Sequence, residues 1–242
     1  MQEITILFNE KSSCVNDDRE ICKHIQEWIS LKKYCSSEIM KLVQEDLEIP
    51  LKSNILAVFY KYGIGTSLDY ERARFCYEES VSCGDLFGTV MLGLFYEENV
   101  VGIKSNKKAL ELYQQAADAC FPLGLYRLGK FYENFNGGYE KSVVFYEKAV
   151  EYGFPAEIYI SDYYFNASLN WSYGCRKAFI WGKRAAVKGN MIGQHYLGSD
   201  YLDGNGTEID IHNGIKWLCK AYKSGYMAAE LGLCRVFRKS YY

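Results

Sequence analysis

The sequence predicts an all-α protein built from stacked antiparallel helix pairs, an α-solenoid. Three observations predict it. An aromatic residue returns at Tyr60, Tyr96, Tyr132, Phe165, Tyr201 and Phe237, with gaps of 36, 36, 33, 36 and 36 residues. A small-residue register (Ala73, Ala109, Ser142, Ala178, Gly214) and a closing register (Gly84, Cys120, Gly153, Gly189, Gly225) both run with gaps of 36, 33, 36 and 36. All of them therefore place a single three-residue deletion between Tyr132 and Ser142. Finally, only 3 of the 242 residues are proline, which suits helices because a proline inside one costs about 3 kcal/mol. A period of this length marks a chain in which a helix pair buries its apolar face only by stacking on its neighbours.

Taken in order, residues 1–50 read as a divergent N-terminal helical pair or a cap. "DREICKHIQEWISLKK" places Ile21, Ile25, Trp28 and Ile29 on one helical face, and "SSEIMKLVQEDLE" does the same with Ile39, Leu42, Val43 and Leu47. Five repeats follow over residues 51–226, at about 51–85, 86–121, 122–154, 155–190 and 191–226. The first helix of a repeat carries a small residue, then Leu-Gly, then the aromatic: Gly88, Leu92, Gly93, Tyr96; Gly124, Leu128, Gly129, Tyr132; Gly193, Leu197, Gly198, Tyr201. These positions share one face. The glycines cost about 1 kcal/mol each in helix propensity, a cost that close approach of a partner helix can offset.

The second helix shows its own amphipathic stripe, Ala109, Leu112, Tyr113, Ala116 and Ala117, repeated as Ala178, Trp181, Gly182, Ala185 and Ala186. Between the two helices, "GIGTSLD" and "GNGTEID" supply glycine turns and an Asp able to cap the next helix. The closing glycines stand where a helix ends in a left-handed residue. The 155–190 repeat departs most: Ser161 and Asp162 replace Leu-Gly, and the loop "NASLNWSYGC" has lost its glycine turn. Residues 227–242 read as a C-terminal capping helix, with Ala229, Leu231, Leu233 and Phe237 apolar and Arg235, Arg238 and Lys239 polar.

Composition excludes several functions. A net charge of -2 and a pI near 6.0 leave no electrostatic footprint for nucleic acid or an anionic membrane. The longest apolar run, Ile55 to Tyr60, falls far below the about 20 residues a membrane span requires. Glu3 stands where a signal peptide carries positive charge, and "FRKSYY" holds no prenylation box. The expectation is a soluble cytoplasmic protein. Its 9 cysteines form no CxxC pair, and its 3 histidines (His24, His195, His212) show no ligand spacing, so no metal is expected and the thiols read as reduced. There is no GxSxG, HExxH or P-loop, and "GIGTSL" lacks the phosphate-binding lysine, so it reads as a turn. No cofactor and no catalysis are expected. Asn166-Ala-Ser168, Asn170-Trp-Ser172 and Asn205-Gly-Thr207 match the glycosylation pattern and read as ordinary loop residues.

The run small-x3-Leu-Gly-x2-Tyr, the GxG loop, Ala-x2-[Leu/Trp]-Tyr-x2-Ala-Ala and the closing Gly resemble the Sel-1-like repeat, a relative of the tetratricopeptide repeat, over roughly residues 52–239. The resemblance implies a right-handed α-solenoid that acts as a scaffold or adaptor for a protein or peptide partner. Another role it allows is a regulatory subunit of a membrane-enzyme or protein-degradation complex. A third is a cysteine-rich hydrolase of the β-lactamase-like branch, but that branch pairs cysteines in every repeat and no such pairs recur here. By similarity with tetratricopeptide solenoids, the first helices line a concave face. The side chains offset from the packing stripe are Tyr126 and Lys130, Tyr159 and Tyr163, and His195 and Ser199. These are the expected partner-binding residues, since tyrosine combines large area with a polar tip. Tyr126, Tyr159 and Tyr163 are expected to be partly exposed, and Tyr96, Tyr132 and Tyr201 to be buried.

Overall fold

A computed structural model describes residues 2–12, 18–32, 35–47, 49–98, 104–134, 138–167 and 171–239. The described residues form 14 α-helices and no strand. They fall into two compact units, Met1–Phe131 with Tyr152–Phe154, and Tyr132–Glu151 with Pro155–Tyr242.

The N-terminal unit begins with α1 (Gln2–Ser12), α2 (Asp18–Lys32) and α3 (Ser36–Asp46). Periodicity anticipates the second and third of these but not α1. That helix buries Ile4 and Phe8, and Phe8 meets Phe87 edge-on at 5.4 Å. Ile21, Ile25 and Ile29 of α2 are buried as expected. Trp28 is half-buried, because its indole turns outward to donate to Glu3 at 3.3 Å. On α3, Ile39 and Val43 are buried, but Leu42 is 39% exposed and Met40 takes the inward place.

Helix pairs follow: α4 (Leu51–Tyr62) on α5 (Tyr70–Ser82), α6 (Leu86–Glu97) on α7 (Asn106–Asp118), and then α8 (Pro122–Glu133). Asp69 caps α5 by accepting from the Arg72 amide, and Asp85 caps α6 by accepting from Gly88 at 2.6 Å. The glycine face answers the expectation of close approach. A Cβ built on Gly124 would lie 2.5 Å from the Ala116 Cβ, and one on Gly93 would lie 2.6 Å from the Tyr113 ring. The largest fully buried rings of these pairs include Tyr77 and Tyr113 of the second helices. Tyr113 donates its hydroxyl to Glu97 at 2.7 Å, which satisfies the one polar atom of an otherwise apolar side chain.

The C-terminal unit holds α9 (Tyr139–Glu151), α10 (Glu157–Ala167), α11 (Trp171–Val187), α12 (Met191–Asp203), α13 (Ile211–Lys223) and α14 (Ala229–Lys239), each packed on the next from α9 onward. The expected loop at 166–175 is mostly helix. Asn166 lies on α10, α11 starts at Trp171, and the intervening residues, with Ser168 and Asn170 of the glycosylation matches, lie outside the described set. Without a glycine turn the chain runs into a 17-residue α11. The "GNGTEID" loop then rests on that helix, close enough that a Cβ on Gly206 would meet the Cys175 carbonyl oxygen at 2.3 Å. On α14, Ala229 is buried and Leu233 half-buried, while Leu231 is 76% exposed. Residues four apart share a face, whereas Leu231 points nearly opposite. The side chains of Phe237, Arg238 and Lys239 lie outside the described set.

Eight of the cysteines are described and all are free thiols; Cys14 lies outside the described residues. No described helix is long and apolar enough to cross a membrane.

Candidate functional site

Among the clefts on the C-terminal unit, two share lining residues. The larger, about 590 Å³, is walled by Glu133, Tyr139 and Tyr146 on one side and by Tyr159, Asp162 and Tyr163 of α10 on the other, with Tyr196 of α12 closing it. The second, about 370 Å³, lies between α10 and α12 and is lined by Ser161, Phe165, His195, Ser199, Asp200 and Asn205 among others. Asp162, Asn166 and Tyr196 line both. The two form one groove with a shared wall.

Four of the six expected partner-binding residues meet here. Tyr159 and Tyr163, both half-buried and one helical turn apart on α10, line the first cleft. Tyr159 tilts against Tyr146 at 5.3 Å, and Tyr163 meets Tyr164 edge-on at 5.2 Å. His195 and Ser199 of α12, also half-buried, line the second. The other two belong elsewhere. Tyr126, expected to be partly exposed, is only 3% exposed and stacks on Phe154 at 4.7 Å. The stretch that closes α9 carries that phenylalanine onto Tyr126, so the ring is core and not surface. Lys130 is half-buried on α8 and lines neither cleft. Of the tyrosines expected inside, Tyr96 is buried. Tyr132 and Tyr201 are half-buried, each with one face covered, Tyr132 by Phe145 at 5.6 Å and Tyr201 by Phe179 edge-on at 5.4 Å.

Several groove residues escaped the sequence reading. Asp162 entered it only as a mismatch at a glycine position. In the structure its carboxylate accepts from the Tyr196 hydroxyl, and burial together with this carboxylate pushes that phenol up to about 12. Asp200 stands one residue before the register aromatic, where Phe59, Phe95 and Phe131 stand buried in the earlier segments. Aligning that column would have exposed the exchange. Burial pushes the Asp200 carboxyl up to about 7; the Asn205 amide, which donates to it, lowers it and Asp203 raises it. Burial also holds His195 below its ordinary range, and its Nδ1 is buried with no hydrogen-bond partner. Tyr163 is raised by burial and by Glu140 and Glu147.

The groove offers phenol rings, carboxylates and one neutral imidazole. Such a lining suits recognition by ring contact and charge-assisted hydrogen bonds. Among the described residues, no cluster of His, Cys, Asp or Glu could hold a metal ion.

The Sel1 repeat matches residues 54–85, 89–119, 122–153 and 192–226, more than half of the chain. The unmatched stretch 154–191 contains α10 and α11. A protective antigen of uropathogenic Escherichia coli with an SLR fold is similar at 24% identity and a TM-score of 0.74, over 92% of this chain and 52% of that one. The chain thus spans about half the length of that antigen. A Sel1 repeat protein from Oxalobacter formigenes aligns at 22% identity and a TM-score of 0.66, over 83% of this chain and 82% of its own. An immunity protein from Pseudomonas aeruginosa aligns at 16% identity and 0.55, over 78% and 75%. No curated protein matches. These likenesses show an all-α repeat fold of the Sel1 type, and the chain belongs to the Sel1 repeat family.

Proposed function

We propose that the chain is a non-catalytic scaffold that holds a segment of a partner protein in the groove of its C-terminal unit. Sel1 repeat proteins generally mediate protein–protein contacts, and α10–α11 is, on this reading, a fifth, degenerate repeat given over to binding. The observation that carries the reading is the cleft of about 590 Å³ lined by Tyr139, Tyr146, Tyr159, Tyr163 and Tyr196. Tyrosine is enriched where a few residues supply most of the binding energy. A preformed groove on packed helices binds without the cost of ordering a loop. The lack of disulfides among the eight described cysteines supports a reducing, cytoplasmic setting for this adaptor.

Selection of displayed random peptides on the immobilised chain tests the reading. Selected peptides should lose about 30-fold or more in affinity for Tyr159→Ala/Tyr163→Ala protein, the equivalent of about 2 kcal/mol. The variant should keep its helical circular dichroism. Peptides that bind it as well as the parent would place recognition outside this groove.

A further inference from the structure

The smaller cleft breaks the repeat's own rules in one direction. Where the earlier segments place a buried Phe, α12 places Asp200; where they place Leu-Gly, α10 places Ser161 and Asp162. A carboxyl in an apolar register costs stability unless something pairs with it, and such local inconsistencies concentrate at functional sites. The Asn205 amide donates to Asp200 but supplies no charge; the charged neighbour is Asp203, a like charge, and no lysine or arginine is among the described residues lining the cleft. Arg235 of α14 pairs with Asp203 at 2.6 Å, not with Asp200. His195 adds no competing cation, because burial keeps its imidazole neutral at neutral pH.

Two further features give the missing partner a shape. Phe165 and Tyr196 line the same cleft, and aromatic faces attract a cation. His195 lines the cleft as well, and a neutral imidazole can accept one hydrogen bond. A guanidinium meets all of these at once. It is planar, stacks on rings, keeps its charge, and carries five N–H donors for several acceptors. An ammonium is a point charge with a costlier hydration shell.

We propose that this cleft receives an arginine side chain of the partner protein, with Asp200 as its counter-ion. The proposal rests on the groove reading above and names the anchor that the reading leaves open. The larger, tyrosine-lined cleft then holds the residues flanking that arginine.

The test uses the same displayed peptides with the full chain. Arginine should be enriched at one fixed position. In a selected peptide, exchange of that arginine for citrulline, which keeps the shape and removes the charge, should weaken binding at least tenfold to the parent protein. The same exchange should cost less than threefold with Asp200→Asn protein. Asp200→Phe, which restores the residue found in the first three repeats, should also abolish the preference for arginine. Peptides that need Tyr159 and Tyr163 but carry no enriched arginine would overturn this inference and leave the groove reading standing. So would a citrulline penalty equal in parent and Asp200→Asn protein. Peptides indifferent to both tyrosines and to Asp200 would overturn both.

Discussion

Cys120 is the non-glycine member of the closing register and adopts a φ of 56°, whereas Gly84, Gly153, Gly189 and Gly225 hold the same place at 76° to 95°. An L residue in the left-handed region costs roughly 1–2 kcal/mol, against roughly 0.5–1 kcal/mol of extra chain entropy for glycine. The thiol is exposed, so its removal opens no cavity. Cys120→Gly should therefore stabilise the protein by about 0.5–1 kcal/mol, read from the urea midpoint at unchanged slope; a destabilised variant would mean that the side chain makes a contact worth more than the strain. Asp200 gives the second residue-scale expectation. Its folded carboxyl is raised by burial to about 7, well above its ordinary range. Around it stand Asp203 on its own helix, Asp162 on α10, Cys175 on α11 and the neutral His195, with Arg235 held by Asp203. A raised carboxyl binds its proton more tightly in the native state, so stability falls as pH rises from the unfolded carboxyl's range to about 7 and is flat above. Asp200→Asn should thus melt higher than the parent at pH 8, with the gap narrowing toward pH 5. A gap that widens on acidification would contradict a buried acid without a counter-ion.

At the scale of the element, the helix registers were legible because close packing of repeated pairs constrains the same positions each time. Gly93 admits the Tyr113 ring, Gly124 admits Ala116, and the tyrosine hydroxyl then finds Glu97. The pattern returns one pair later as Tyr146 donating to Glu133 at 2.7 Å. At the corresponding place in α13 stands Leu218, and the carboxylate's place is taken by Leu202, so polar pair and apolar pair exchange together. What sequence could not reveal lay between the elements. No spacing rule carries Phe154 from an interhelix stretch onto Tyr126, and none tells that α11 runs from Trp171. Gly93→Ala tests the packing account. The added methyl would lie 2.6 Å from a fully buried ring, so overpacking of about 1–3 kcal/mol outweighs the about 1 kcal/mol that alanine gains in helix propensity. The net change should be destabilising by chemical denaturation, and a stabilised variant would show that the ring gives way freely. Tyr132→Ala should cost less than the loss of a fully buried aromatic, since only part of that ring is covered.

Across the whole chain, the parts that repeat were readable, and the parts proposed to bind were readable only as exceptions. Asp162 shows in a single sequence because glycine stands there at Gly93, Gly129 and Gly198; Asp200 shows only beside Phe59, Phe95 and Phe131. The same nearest-neighbour construction governs how the molecule opens. In stacked repeats each element is held by its neighbours, so local openings cost less than global unfolding. Buried thiols report this directly. Cys22 on α2 and Cys76 on α5 are 5% and 8% exposed, so both react only after opening. Burial, with Glu79 adding to it, pushes the Cys76 thiol up to about 11, which suppresses the native thiolate further. Helix α5 is packed within the Sel1 repeats on both α4 and α6, whereas α2 lies outside the matched repeats and is held by α1 and α4. Thiol labelling followed by peptide mass analysis in sub-denaturing urea should therefore modify Cys22 before Cys76. Exposed Cys35, Cys83 and Cys234 should react first of all, without urea. Cys22 and Cys76 labelling together, with a urea dependence equal to that of global unfolding, would instead make the N-terminal helices and the first repeat a single cooperative body.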